Sequence, residues 1–167
     1  MTIGLRKWAP SDLPLLHRGN APDMTVHIAG PETEEQVGER HEKYLRLWRE
    51  GAARMFIVED DGVAAGAIGW WTTEWDRQPV HETGWFIVPE AQGKGIGHAA
   101  VSLMIQDARE HHTQRLLTAF PSEKNLPSNA LCRAAGFEHV STRAFPFRGQ
   151  TLQTNVWVLD LGVPIAP

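Results

Sequence analysis

Residues 88–100 read VPEAQGKGIGHAA, and the way they are read determines the fold assigned to the whole chain. Gly93, Gly95 and Gly97 alternate with Lys94 and Ile96, directly ahead of a helix-forming run. Each glycine costs backbone entropy, and a tight turn that needs one does not account for three. Before them, VHETGWFIVP reads as a strand closed by Pro89. After them, HAAVSLMIQDAREHH reads as a helix of ordinary length. A strand that feeds a glycine loop and then a helix start gathers free backbone N–H groups at one point, where the helix dipole adds partial positive charge. The stretch therefore predicts a phosphate or pyrophosphate site, with the bare backbone admitting the anion and Lys94 adding a charged contact.

Three phosphate-binding patterns compete. A P-loop requires a glycine five residues before Gly93 and a Ser or Thr after Lys94, where this chain has Val88 and Gly95. The dinucleotide fingerprint requires G-x-G-x-x-G in the first βα unit, whereas the spacing here is G-x-G-x-G, past mid-chain, with no acidic ribose ligand evident at the next strand end. The third pattern fits. QGKGIG matches the Q/R-x-x-G-x-G/A loop of the GNAT N-acetyltransferases, and Ile87-Val88-Pro89 is similar to the V-x-P before that loop. Further on, NLPSNALCRAAGF resembles the second motif of that family through Asn125, Ser128, Gly136 and Phe137. The likeness covers nearly the whole chain in element order, and the layout also resembles the ribosomal-protein N-terminal acetyltransferase subgroup.

The resemblance implies acetyl-CoA as co-substrate. Its pyrophosphate would rest on the loop of Gln92, Gly93, Lys94, Gly95, Ile96, Gly97 and His98. Its pantetheine arm would enter a splay between the strand ending in Phe86, Ile87 and Val88 and the strand RLLTAF, pairing as an added strand does. A bulge in the first of these strands is expected to open the sheet. Asn125 would hydrogen-bond the pantetheine, with Ser128 one helical turn on. The reaction implied is direct attack by a neutral amine on the thioester, which needs a base. Glu82 in HETGW matches a Glu that often serves there, and His81 should face the other side of the strand. Where many relatives carry a tyrosine as general acid this chain has Cys132, which reads more naturally as an inert buried thiol than as a proton donor. No H-E-x-x-H motif and no paired cysteines occur, so no metal is expected.

The remainder of the chain bounds these readings. A length of 167 residues predicts one N-acetyltransferase domain spanning 1–167. With 16 Lys plus Arg against 20 Asp plus Glu, the net charge of -4 argues against nucleic acid as a partner. The single cysteine excludes an internal disulfide and suggests the cytoplasm, and neither a signal-type leader nor an apolar run of membrane length is visible. IGLRKW reads as a first strand, Ser11-Asp12 as the cap of a short helix, and Pro31 with its following glutamates as the start of a helix running to Trp48. Apolar runs on either side of Asp61-Gly62 predict a hairpin, and EHVSTRAFPF and TLQTNVWVLDL predict a closing one. The expected class is α/β (α+β): a mixed, mostly antiparallel sheet flanked by helices, with one parallel crossover and a splayed central strand pair.

For the acceptor, the resemblance points to residues 24–41 and 144–154. Trp70 and Trp71 cannot both face the core of a half-exposed strand, so one is expected at a pocket or interface, where aromatic and acidic groups would suit a cationic amine. Three functions stay open: acetylation of a small-molecule primary amine such as a polyamine, amino acid or amine antibiotic; acetylation of a protein N-terminus; and a module that holds acyl-CoA without turnover. A homodimer is an expectation drawn from similar proteins.

Overall fold

The computed structural model describes residues 1–164; residues 165–167, the last three of the expected domain, lie outside the described residues. Strand β1 (Ile3–Lys7) leads through helices α1 (Leu13–Gly19) and α2 (Glu34–Glu50) into β2 (Ala53–Asp60), β3 (Val63–Trp75) and β4 (Gln78–Ile87). Helix α3 (Ile96–His111) crosses to β5 (Leu116–Ala119), and α4 (Leu126–Ala134) precedes the hairpin β6 (Glu138–Phe147) and β7 (Gln150–Asp160). The seven strands form one sheet in the order β1-β2-β3-β4-β5-β7-β6, in which only the β4–β5 pair is parallel. This is the mixed, mostly antiparallel α/β architecture expected from the element order.

Turn chemistry sets the hairpins. Asp61 and Gly62 take φ of 49° and 81°, the left-handed pair that matches strand twist. Asp76 and Arg77 do the same at 49° and 63° without a glycine, so β3 and β4 form a hairpin that the sequence hides. Helix α2 begins later than Pro31 suggests. Thr33 accepts the Gln36 N–H, and Gln36 returns its side-chain oxygen to the Thr33 N–H, a reciprocal cap that fixes the start. Glu32 is thereby left outside the helix, where it pairs with Arg40 and Arg148. Asp12 also departs from expectation: its carboxylate turns back to the Ala9 N–H and to Arg6 instead of capping α1.

The central strands part without a bulge in β4. Its register against β3 is unbroken from Gly66↔Ile87 to Trp75↔Gln78, which corrects the expected bulge. The irregularities lie instead at Val58/Glu59 in β2 and His139/Ser141 in β6. Parallel pairing of β4 with β5 covers only His81, Glu82 and Thr83 against Leu117, Thr118 and Ala119. Beyond Ala119 the chain follows β7: the Pro121 carbonyl accepts the Asn155 N–H, and the Glu123 N–H donates to Gln153. Pro121 turns its main chain to β7, the ladder to β4 stops at Ala119, and beyond it the sheet opens. Ile57, Ile68, Met104 and Leu117 pack in the core between sheet and helices.

Candidate active site

The glycines of the loop serve two different ends. Gly93 and Gly95 have φ of 73° and 80°, and a Cβ at either would meet nothing within 4 Å, so it is backbone rotation that demands glycine. Gly97 has an ordinary φ, but a Cβ there would stand 3.1 Å from Leu131 Cδ1 in α4, so close packing against that side chain favours glycine. Among the described residues, the N–H groups of Gly93, Gly95, Ile96, Gly97 and His98 have no protein acceptor. They converge at the start of α3, which has no side-chain cap. That is the geometry that binds a phosphate. Lys94 and His98 are exposed beside them, whereas the Ile96 side chain is buried. Gln92 plays a different part, since its Nε2 donates to the Ile87 carbonyl at 2.8 Å and straps the loop to β4.

Main-chain alternation then determines what β4 offers the opening. Val88 N–H donates to the Ala65 carbonyl, so in this register Phe86 and Gly84 also direct their main-chain groups toward β3. Trp85 and Ile87 direct theirs to the vacated edge, although the Ile87 carbonyl is taken by Gln92. Phe86 and Val88 therefore present no main-chain hydrogen-bonding group to the opening, a correction to the expectation that they would. The Phe86 ring lies against Gly19 of α1, and Val88 is buried. Across the gap, the Asn125 side chain accepts the Ser128 N–H at 3.2 Å, capping α4, and both residues line the cleft.

A further residue organises this side. Asn129 is buried, and its Nδ2 donates to the carbonyls of Ser122 and Asn125 at 2.9 and 2.8 Å. Its Oδ1 accepts from Asn155 Nδ2 and Trp157 Nε1, each at 2.8 Å. The segment that leaves β4 is thus pinned to β7 and α4 by one amide. Its only signal in the sequence is a second Asn one turn after Asn125, too slight to mark it as a site residue.

The cleft has a volume of about 670 Å³ and runs from Ser128 and Asn125, past the parting of β4 and β5, to the hairpin of β6 and β7. Glu82 lies on its wall, at the last turn of the pleat before the strands separate. Burial pushes its carboxyl up to about 7, with only the neighbouring Trp71 side chain acting the other way. Trp71 is its cross-strand partner and lines the same cleft, while Trp70 points to the opposite face and donates to Asp107 of α3 at 2.9 Å. His81 also turns away from the cleft. It is buried against Trp70, and its Nε2 accepts the N–H groups of Thr113 and Gln114. Burial, with His112 nearby, pulls the ring down to about 4.

Two candidate proton donors stand apart from the cleft. Cys132 is fully buried in α4, and burial pushes its thiol up to about 12. The single tyrosine, Tyr44, packs on Trp8 from α2. At the far end, Arg143 donates to both carboxylate oxygens of Asp76 at 2.5 and 3.0 Å and stacks on Trp75. Arg148 reaches the Gly30 carbonyl and Glu32, holding the segment of His27 and Ile28 over the cleft mouth. Both segments expected to shape the acceptor side thus line the cleft.

A sequence profile described as an acetyltransferase (GNAT) domain matches residues 2–138. No curated protein matches the chain. Among solved structures, a ribosomal-protein-alanine N-acetyltransferase from Brucella melitensis superposes with TM-score 0.78 at 26% identity, covering 96% of this chain and 99% of that one. A spermidine N-acetyltransferase from Vibrio cholerae, solved with CoA and spermine, gives TM-score 0.78 at 20% identity, with 95% of each chain covered. RimL, a ribosomal alpha-N-protein acetyltransferase solved with coenzyme A, gives TM-score 0.80 at 18% identity over 96% of this chain and 94% of that one.

Proposed function

The chain belongs to the GNAT acetyltransferase family and is an N-acetyltransferase with acetyl-CoA as its donor, and from that premise we propose that it acetylates the primary amine of a small molecule by direct attack. The single observation that carries this reading is the setting of Glu82, a carboxyl held near neutrality by burial where β4 and β5 part. A base poised near the working pH is what an alkylammonium acceptor requires.

The donor fits the features on either side of Glu82. Five free N–H groups at the start of α3, with Lys94 beside them, suit a diphosphate. The vacated edge of β4 at Trp85 and Ile87 suits an amide-bearing arm that pairs as a strand, with Asn125 and Ser128 opposite. The donor supplies an activated thioester. The amine nitrogen attacks the acetyl carbon, a C–N bond forms and the C–S bond breaks. Glu82 takes the proton that the ammonium loses to become the attacking amine, and the second proton, released from nitrogen as the amide forms, passes through water to the thiolate, because neither Cys132 nor Tyr44 lines the cleft. Coenzyme A thiolate leaves readily enough for this.

A second reading, transfer to a protein N-terminus, draws support from the 26% identity with the ribosomal-protein-alanine enzyme. The binding-module alternative falls with the family assignment. Thiol release from acetyl-CoA, followed over a panel of free amines and short peptides, separates the first two. Turnover on free amines, sharply lowered by Glu82→Gln, supports the proposal. Turnover on peptides alone supports the second reading.

A further inference from the structure

The charges around the acceptor half of the cleft are largely spent on one another. Asp76 is held by both guanidinium nitrogens of Arg143, and Glu32, behind the mouth, by Arg40 and Arg148. Glu74 is exposed at the rim. Glu82 alone is a sheltered carboxyl without a cationic partner. Aromatic rings make up much of the rest of this half, beside His27, Ile28, Thr73, Pro146 and Leu152. Trp71, Thr73 and Trp75 share one face of β3, and Arg143, Phe145 and Phe147 share one face of β6, by the alternation of each strand. The two faces meet: Asp76 at the end of β3 grips Arg143, which stacks on Trp75 at 5.4 Å, and Phe120 just after β5 packs at a tilt on Phe145 at 5.9 Å.

We propose that the acceptor is an amine with one positive charge on a flat apolar body of one or two rings, its nitrogen at Glu82 and its body between Trp71, Trp75 and Phe145. The proposal rests on the acetyltransferase reading and narrows its acceptor class. Aromatic walls reward a flat apolar body with area burial and offset stacking. A polyamine would carry its further charges past Arg143, with Asp76 already occupied and Glu74 out at the solvent-exposed rim, so that ring faces alone would answer a charge within the slot. Burying an unmatched ammonium costs more than a single methylene returns. An amino sugar fails for the same reason, since its hydroxyls would lose water for ring faces.

The test measures thiol release from acetyl-CoA with 2-phenylethylamine, tryptamine, spermidine and an alanine-first hexapeptide, alongside quenching of tryptophan fluorescence by 2-phenylethylamine. The expected result is a kcat/KM for the aromatic amines at least about tenfold above that for spermidine. Phe145→Ala should erase most of that preference while leaving KM for acetyl-CoA unchanged. Spermidine or the peptide turned over as well as the aromatic amines overturns the proposal, as does an unchanged preference in Phe145→Ala. Saturable quenching by 2-phenylethylamine without turnover of any acceptor supports the cleft's selectivity and faults the chemistry assigned to it. No quenching and no turnover overturns both.

Discussion

Trp71 and Glu82 are cross-strand partners in β3 and β4, and both face the cleft on the side of the sheet away from α3. The Trp71 ring also covers Gly84, where an added Cβ would stand 3.1 Å from it. The indole therefore lies along β4 as a cover beside the carboxyl, where its bulk adds to the burial that raises Glu82 to about 7 while its side-chain hydrogen bond pulls the other way.

If Glu82 is the base, kcat/KM rises with pH through an acid limb near 7, because the carboxyl must be ionised to accept a proton. Glu82→Gln should lower kcat/KM roughly a hundredfold to a thousandfold and flatten that limb. Stability moves the opposite way. A carboxyl raised in the folded state favours folding fully below its unfolded value and loses that contribution as pH rises through about 7. Thermal melts should therefore show Glu82→Gln a few degrees more stable than the parent at pH 8 and nearly level at pH 4.

Removing the cover tests the positioning role of Trp71. Trp71→Ala should admit water to Glu82 and, burial being the larger cause, shift the acid limb of kcat/KM from near 7 toward the ordinary carboxylate range, although the hydrogen bond that opposes burial is lost with the indole. A lower rate with the limb unmoved would make Trp71 a contact for the acceptor and nothing more to the carboxyl.

Cys132→Ala should retain acetyl transfer within about twofold, because the thiol is buried beside the core and absent from the cleft lining. The small cavity left behind should cost about 1 kcal/mol, measured by urea unfolding. Native protein should resist iodoacetamide, since burial keeps the thiol protonated to about 12.

His81 predicts a separate acid sensitivity of the fold. Its Nε2 accepts two N–H groups at the end of α3, which only a ring unprotonated at that nitrogen can do. With the ring pulled down to about 4, the stability it supplies is present above its unfolded value near 6.5 and is lost as pH falls between the two, by up to about 3 kcal/mol. Urea unfolding at pH 7.5 and pH 4.5 should show the parent losing stability, and His81→Ala, weaker at the higher pH, losing much less.

Much of this molecule is legible in its sequence where a local rule acts alone. Asp61-Gly62 announces its hairpin because glycine supplies the left-handed turn at no steric cost, and Gly93 and Gly95 announce the loop for the same reason. Asp76 and Arg77 adopt that conformation without a glycine, so the β3–β4 turn carries no signature. Helix α2 is misjudged by three residues because Pro31 with its following glutamates is a credible start, and the reciprocal bond between Thr33 and Gln36 overrides it. The parting of β4 and β5 depends on the chain after Ala119 following β7, a long-range pairing that no local pattern encodes. Asn129 matters through partners on β7 some 26 to 28 positions away, again beyond any local motif. Phe86 and Val88 show the limit of motif transfer: the strand is the one expected, but alternation turns their main chains to β3.

The claim on which all else depends is that the bare backbone between Gly93 and His98 receives the donor's diphosphate. Amide resonances followed through a coenzyme A titration test it most directly. The account predicts saturable downfield shifts and slowed hydrogen exchange at Gly93, Gly95, Ile96, Gly97 and His98, with smaller changes at Trp85 and Ile87. Saturation that leaves those five amides unmoved while others shift would contradict it.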